Sequence, residues 1–227
     1  MAGMPADTLT LTARALLFDM DGTLVDSTEV VEAAWRGMAR RFDLDAEELL
    51  AAVHGIRAED SVRRWAPPGT DIAAVVAELS AYEIDHAPST LAVPGAVAFL
   101  ESLPLTAHAL VTSATLPLAV ARMAGAGIRL PQLVVTAEDV PRGKPAPDVY
   151  LLAAKTLGVA PEDAVVFEDA EAGIQAGLAA GMRVVVVGGH RSAATEGLPR
   201  ITSYETATTE LDGDGSLRVT LPIESRS

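Results

Sequence analysis

The chain has 227 residues, is 49% hydrophobic but only 4% aromatic, and carries a formal net charge of −14. That length and apolar content suit one large domain, or a medium domain with a small one, packed mostly by Ala, Val and Leu. The negative balance argues against nucleic-acid or anionic-membrane partners, and the lack of cysteine excludes disulfides, thiol catalysis and Cys-ligated metals. No basic stretch followed by a long apolar core opens the chain, and no apolar run reaches the roughly 18–20 residues of a membrane span. A cytoplasmic protein with no obligate protein partner is the expectation.

Residues 14–19, "RALLFD", read as a short buried strand, an apolar run bounded by charge. From 29 to 41, Val30, Val31, Ala34, Trp35 and Met38 recur at helical spacing. Further helical patterns cover 45–53, 58–65 and 71–86, so 28–92 is expected to be all helix. Pro94 suits the first turn of a helix over 93–104. Strand-like runs at 107–112, 132–137, 163–169 and 183–189 then alternate with helical segments at 116–127, 147–158 and 171–181. This alternation is the pattern of a parallel sheet with crossover helices. The strand at 14–19 joins that sheet, which makes 28–92 an insertion after it. The fold class is α/β, with residues 1–27 and 93–227 forming the core and 28–92 a helical cap. The tail offers a strand near 200–204 and a hairpin around "LDGDGSL". A calcium loop there would put Leu217 at the glycine position and Ile223 at the closing carboxylate, so a tight turn is preferred.

Ligands bind outside the carboxyl ends of strands in parallel α/β sheets. Here those ends carry Asp19 and Asp21, Thr112, Thr136 with Glu138 and Asp139, and the pair Glu168–Asp169. Carboxylates closing separate strands repel unless a cation joins them, and a few hard oxygen ligands favour Mg²⁺ shared with a phosphate. Lys144, one of two lysines in the chain, lies in a proline-rich loop after the third core strand. It could offset phosphate charge, but "GK" here is no P-loop, because Glu138 occupies the first glycine position and Pro145 follows the lysine. Taken singly, each residue has an ordinary reading: a solvated turn for Asp19 and Asp21, a surface position for Lys144, helix caps for Thr112 and Glu168–Asp169. Their joint occurrence in order favours one shared site.

"FDMDGTLVDS", "LVTSA", "RGKPAPDVY" and "VVFEDAEAGIQAG" resemble, in order, the four motifs of the haloacid dehalogenase-like superfamily, over about residues 14–190. The resemblance implies a Rossmann-like parallel-sheet core with an inserted α-helical cap. It further implies that Asp19 is a nucleophile forming an aspartyl phosphate and Asp21 the general acid and base. Mg²⁺ would be held by Asp19, the Asp21 backbone carbonyl and Asp169, with Glu168 beside them. Thr112 would donate to the transferring phosphoryl group and Lys144 would balance its charge, while Gly22 suits the sharp turn after the strand.

Dehalogenases of the superfamily lack the second aspartate, and its phosphonate-cleaving branch uses a cap lysine, whereas 28–92 contains none. Mutases resembling β-phosphoglucomutase typically have valine, histidine and arginine where this chain has Thr23, Val31 and Ala58, although Arg57 is one position away. A non-catalytic phosphate-binding scaffold would normally have lost a motif residue, and none is lost. The local matches resemble the sugar- and polyol-phosphatase group, implying a small phosphorylated sugar or polyol as substrate. Arg57, His54, Glu59 and Arg63 in "HGIRAEDSVRRW" are the cap candidates for substrate contact, joined by Thr23 and Ser113 from the core. A solvated helix start is the alternative for the cap segment. His86, His108 and His190 are assigned no role.

Overall fold

The structure is a computed structural model, and it describes residues 7–224. The described residues open with β1 (Asp7–Ala13), β2 (Ala15–Phe18) and β3 (Val25–Asp26). Four helices follow, α1 (Thr28–Phe42), α2 (Ala46–Val53), α3 (Ala58–Trp65) and α4 (Ile72–His86), then β4 (Leu91–Ala92). Next come α5 (Ala96–Glu101), β5 (His108–Val111), α6 (Leu116–Gly125), β6 (Leu133–Val135) and α7 (Asp148–Leu157). The described residues end with β7 (Ala164–Glu168), α8 (Glu171–Ala179), β8 (Arg183–Val187), β9 (Arg200–Ile201), β10 (Thr208–Leu211) and β11 (Leu217–Ile223).

Six strands form a parallel sheet in the order β6-β5-β2-β7-β8-β9, a Rossmann-like core with helices on both faces. Strands β2, β5 and β7 are buried throughout, which is why they read as continuous apolar runs and not as alternating ones. Side chains nevertheless alternate between faces. Leu16, Phe18, Leu110, Val165 and Phe167 enter one apolar cluster, while Ala15, Leu17, Ala109, Val111 and Val166 enter the other. The scarce aromatics are concentrated on the first face. Phe18 stacks on Phe167 at 4.7 Å between centroids, and Phe99 stacks on Tyr204 at 5.2 Å.

Helices α1–α4 enclose a third cluster of their own, with Trp35 and Met38 from α1, Leu49 and Val53 from α2, Val62 from α3 and Leu79 from α4. Asp45 and Asp71 start α2 and α4 by accepting backbone N–H groups of the first turn. The chain enters this bundle through β3 and leaves it through β4, which pair antiparallel at Val25–Ala92 and Asp26–Leu91. The expectation of helix throughout 28–92 is corrected there, since a two-residue strand leaves no periodicity to detect. No helix among the described residues is long and apolar enough to cross a membrane.

A second, three-stranded sheet in the order β1-β11-β10 was not expected from the sequence. Its signal is the alternation in "TLTLTA", where Leu9, Leu11 and Ala13 turn inward and the threonines between them outward. Leu217, Val219 and Leu221 of β11 add to the first apolar cluster, so this sheet covers one face of the core. Leu211 pairs with Leu217 across a hairpin closed by Gly215 N–H to Asp212 O at 2.9 Å, as the tight-turn reading requires.

Gly95 shows how tightly the tail segment is seated. Its φ is +80°, and a Cβ there would lie 2.3 Å from the Glu205 amide nitrogen and 2.4 Å from the Tyr204 carbonyl carbon. Gly95→Ala is expected to destabilise the protein by roughly 2–4 kcal/mol, combining left-handed strain with a backbone clash. Thermal denaturation measures it, and an unchanged midpoint would contradict this close approach.

Candidate active site

Parallel pairing places the ends of β2, β5 and β7 side by side, with Phe18 opposite both Leu110 and Phe167. Asp19, Thr112 and Glu168–Asp169 therefore emerge together at one edge of the sheet. The chain turns sharply after Asp19, with Gly22 N–H bonded to Val25 O at 2.8 Å. Gly22 has φ +75°, and a Cβ on it would fall 2.0 Å from Asp169 Oδ2, so only glycine leaves room for that carboxylate.

Lys144 reaches this edge from the loop after β6 and is almost completely buried. Its ammonium donates to Asp19 Oδ1 at 2.5 Å, Glu168 Oε1 at 2.6 Å and Val111 O at 3.1 Å. Burial alone would lower its proton affinity, but Asp19 and Glu168 outweigh that and raise it, so the lysine stays charged. Glu168 is tied on both oxygens. Oε1 also accepts from the Tyr150 hydroxyl at 2.9 Å, and Oε2 accepts from the Asp169 and Ala170 amides at 3.0 and 3.2 Å.

Asp19 and Asp169 are held less completely. The second oxygen of Asp19 takes no hydrogen bond from a described residue, and Asp169 has only the Thr23 hydroxyl at 3.5 Å from Oδ1. Burial raises the proton affinity of both. Glu168 and Asp21 raise Asp19 further against the pull of Lys144, and Glu168, Asp19 and Asp21 raise Asp169. Oxygens of Asp19, Glu168 and Asp169 lie within 4.8 Å of one another. Crowded hard-oxygen donors with lone pairs to spare are suited to a small divalent cation.

Asp21 turns the other way. Its Oδ1 accepts from the Ser27 hydroxyl at 2.6 Å and its Oδ2 from Arg122 Nη1 at 2.8 Å. Arg122, on α6, is itself buried, and its Nη2 lies 3.5 Å from Glu83 Oε1 on α4. Burial pushes the Glu83 carboxyl up to about 7, despite Arg122.

A cavity between the bundle and the strand ends is lined by Asp19, Asp21, Thr112 and Asp169 from the core and by Trp35 and Glu83 from the bundle. His54, Arg57, Glu59 and Ser113 also line it, whereas Thr23, Arg63, Lys144 and Glu168 do not. Thr23 is buried beside Asp169, and Arg63 makes an exposed helical pair with Glu59 at 2.6 Å. The Arg57 guanidinium is bonded to Asp60 at 2.6 Å and to the carbonyls of Val140 and Pro141 at 3.3–3.4 Å. Ser113 donates to Gly55 O at 2.8 Å. Both residues thus join cap to core. The Thr112 hydroxyl accepts from Ala114 N–H at 3.0 Å, which leaves its proton free to donate.

Arg122, Glu83, Tyr150 and Gly173 were missed from the sequence. The first two carried a usable signal: Arg122 shares the buried face of α6 with Leu118 and Met123, and Glu83 follows Val75 and Leu79 on that of α4.

The sequence pattern of the haloacid dehalogenase-like hydrolases matches residues 13–181. The chain belongs to that family. It is 47% identical over 178 residues to hexitol phosphatase A of Escherichia coli (strain K12), spanning 77% of this chain and 82% of that one. It is 34% identical over 194 residues to glycerol-1-phosphate phosphohydrolase 2 of Saccharomyces cerevisiae, spanning 81% and 78%. The fold superposes on the phosphate complex of CbbY from Rhodobacter sphaeroides with a TM-score of 0.72 over 86% of this chain and 96% of that one, at 24% identity. Family and relatives together make the chain a phosphatase.

Within this haloacid dehalogenase-like site, Gly173 governs the seat of Glu168. A Cβ there would fall 1.6 Å from Glu168 Oε1. Gly173→Ala is expected to push that carboxylate off Lys144 and Tyr150 and cut phosphate release by about 10²-fold, the usual cost of an ångström-scale displacement. Wild-type rates in a folded Gly173→Ala protein would show that Glu168 does not order the site.

Proposed function

We propose that the chain is a Mg²⁺-dependent phosphomonoester hydrolase acting on small sugar or polyol phosphates through an aspartyl phosphate at Asp19. The observation that carries this reading is Asp19 itself. Lys144 grips one of its oxygens, while the other is free on a carboxylate that lines the cavity. That oxygen would attack phosphorus as the ester P–O bond breaks, and Asp21 would give a proton to the departing alcohol. Water would then attack the same phosphorus, pass its proton to Asp21 and release phosphate and Asp19. Lys144 orients Asp19 and offsets its charge, and Thr112 donates to a phosphoryl oxygen. Asp19, the Asp21 backbone carbonyl and Asp169 would hold the metal, with Glu168 anchored behind them. When bound, Mg²⁺ supplies positive charge against the phosphoryl oxygens.

The substrate class rests on the relatives named for hexitol and glycerol-1-phosphate. Hydrolysis is favoured over mutase chemistry because Val31 and Ala58 line the cavity where the mutases resembling β-phosphoglucomutase carry histidine and arginine. A cytoplasmic setting accords with a chain that lacks cysteine.

Asp19→Asn is expected to lower phosphate release from hexitol and glycerol phosphates by at least roughly 10³-fold with the fold retained. A folded, active Asp19→Asn protein would refute the covalent route. The raised affinities of Asp19 and Asp169 also set a pH dependence. Carboxyls whose folded pKa exceeds the unfolded value favour folding at low pH, and that contribution is lost as pH rises through the folded value. A cation replaces those protons, so Mg²⁺ should raise the melting temperature more at mildly alkaline than at mildly acid pH. An equal or reversed shift in a melting series would argue against these ligands.

A further inference from the structure

Arg122 is only 3% exposed, yet two of its nitrogens, Nε and Nη2, have no hydrogen-bond acceptor among the described residues. A guanidinium has five N–H donors, and buried donors are normally satisfied. The residue lines the cavity, as do Glu83 and Ser80 opposite it on α4. Glu83 is 3.5 Å from Nη2 without hydrogen-bond geometry, so this close ion pair leaves both partners with capacity unused. A buried pair of this kind adds little to stability compared with apolar residues of similar volume. Its place beside the cavity calls for a ligand that can accept from one member and donate to the other.

The position of Asp21 indicates which ligand atom that is. On the proposed mechanism, which this step takes as its starting point, the ester oxygen leaves beside Asp21. Arg122 Nη1 is already bonded to Asp21, so the Arg122–Glu83 pair sits next to the leaving-group position, on its cap side.

We infer that Arg122 and Glu83 are specificity-determining residues that read a hydroxyl on the carbon next to the phosphate-bearing carbon. Such a hydroxyl accepts from Arg122 and donates to Glu83. A ring ether oxygen at that place only accepts, and a methylene does neither. Open-chain polyol phosphates meet the requirement, whereas pyranose 6-phosphates, whose neighbouring oxygen is in the ring, meet half of it. The burial that raises the Glu83 carboxyl keeps it dry, which strengthens such a contact.

Two pairs of esters test this with the intact protein and Mg²⁺: glycerol 3-phosphate against 1,3-propanediol monophosphate, and sorbitol 6-phosphate against glucose 6-phosphate. The member with the neighbouring hydroxyl should be preferred in kcat/KM by roughly 10- to 100-fold, as expected when a charged buried group would otherwise stay unpaired. Glu83→Leu should bring both ratios toward equality, and Glu83→Gln, which keeps an acceptor of the same shape, should give intermediate ratios even if the leucine variant fails to fold. Equal hydrolysis within each wild-type pair would overturn the inference and leave the phosphatase reading standing. So would a Glu83→Leu protein that loses rate on all four esters equally, since the pair would then only fasten cap to core. If no phosphate ester at all is hydrolysed, the phosphatase reading falls, and this inference with it.

Discussion

The buried ammonium of Lys144 is the contact around which the rest of this site is arranged. It lies out of water with three acceptors, two of them carboxylates, and so meets the condition for burying a charge at all. One cation, however, faces three carboxylates, because Asp169 adds to Asp19 and Glu168. Arg122 serves Asp21 and does not relieve the other three. The strand ends thus concentrate negative charge that the protein neutralises only in part. Proton affinity rises at Asp19 and Asp169, the two carboxylates with oxygens to spare. Three carboxylates against one ammonium leave two negative charges, which a divalent cation would balance.

The same contact separates a fully tied carboxylate, Glu168, from one with an oxygen to spare, Asp19. Glu168 has both oxygens committed to Lys144, Tyr150 and two backbone amides, so it behaves as part of the scaffold. Asp19 has one oxygen committed and one available, the state a nucleophile needs if its orientation is not to cost entropy at each turnover. Two glycines provide the clearance. Gly22 makes way for Asp169 and Gly173 for Glu168, and neither backbone position could carry even a methyl group.

Most of the core of this arrangement was legible in the sequence because it lies at strand ends, where apolar runs meet polar residues. β2, β5 and β7 stood out as unbroken apolar stretches, and Asp19, Thr112 and Glu168–Asp169 were their terminators. Lys144 was legible as the sole lysine of its loop, but the direction of its side chain was not, since a turn-rich segment encodes no periodicity. β1 was overlooked because a half-exposed strand of alternating Thr and Leu has few apolar residues to notice. Arg122 and Glu83 were hidden for a different reason. Each is one charged residue in an apolar helical stripe, and the partner that explains it lies on another element far along the chain. Arg57 was legible as a residue facing the core but not as a strut, because its acceptors are backbone carbonyls, which any sequence could supply.

The cap and the core also differ in how they are joined and how each is held. Among the described residues, none of the three apolar clusters runs from the bundle into the sheet domain. Around the cavity the joints are polar: Arg57 to the carbonyls at 140 and 141, Ser113 to the Gly55 carbonyl, and Arg122 to Glu83. A two-residue ribbon, β3 with β4, carries both covalent connections. Polar contacts exchange for water at little net cost, whereas apolar burial does not. A seam joined in this way can part without breaking the apolar clusters on either side of it. On the proposed reading, substrate choice falls to the few polar groups at this seam. Arg122 is the one among them that touches both the cap and a carboxylate of the active site, so it is where selection of the substrate and chemistry on it can meet.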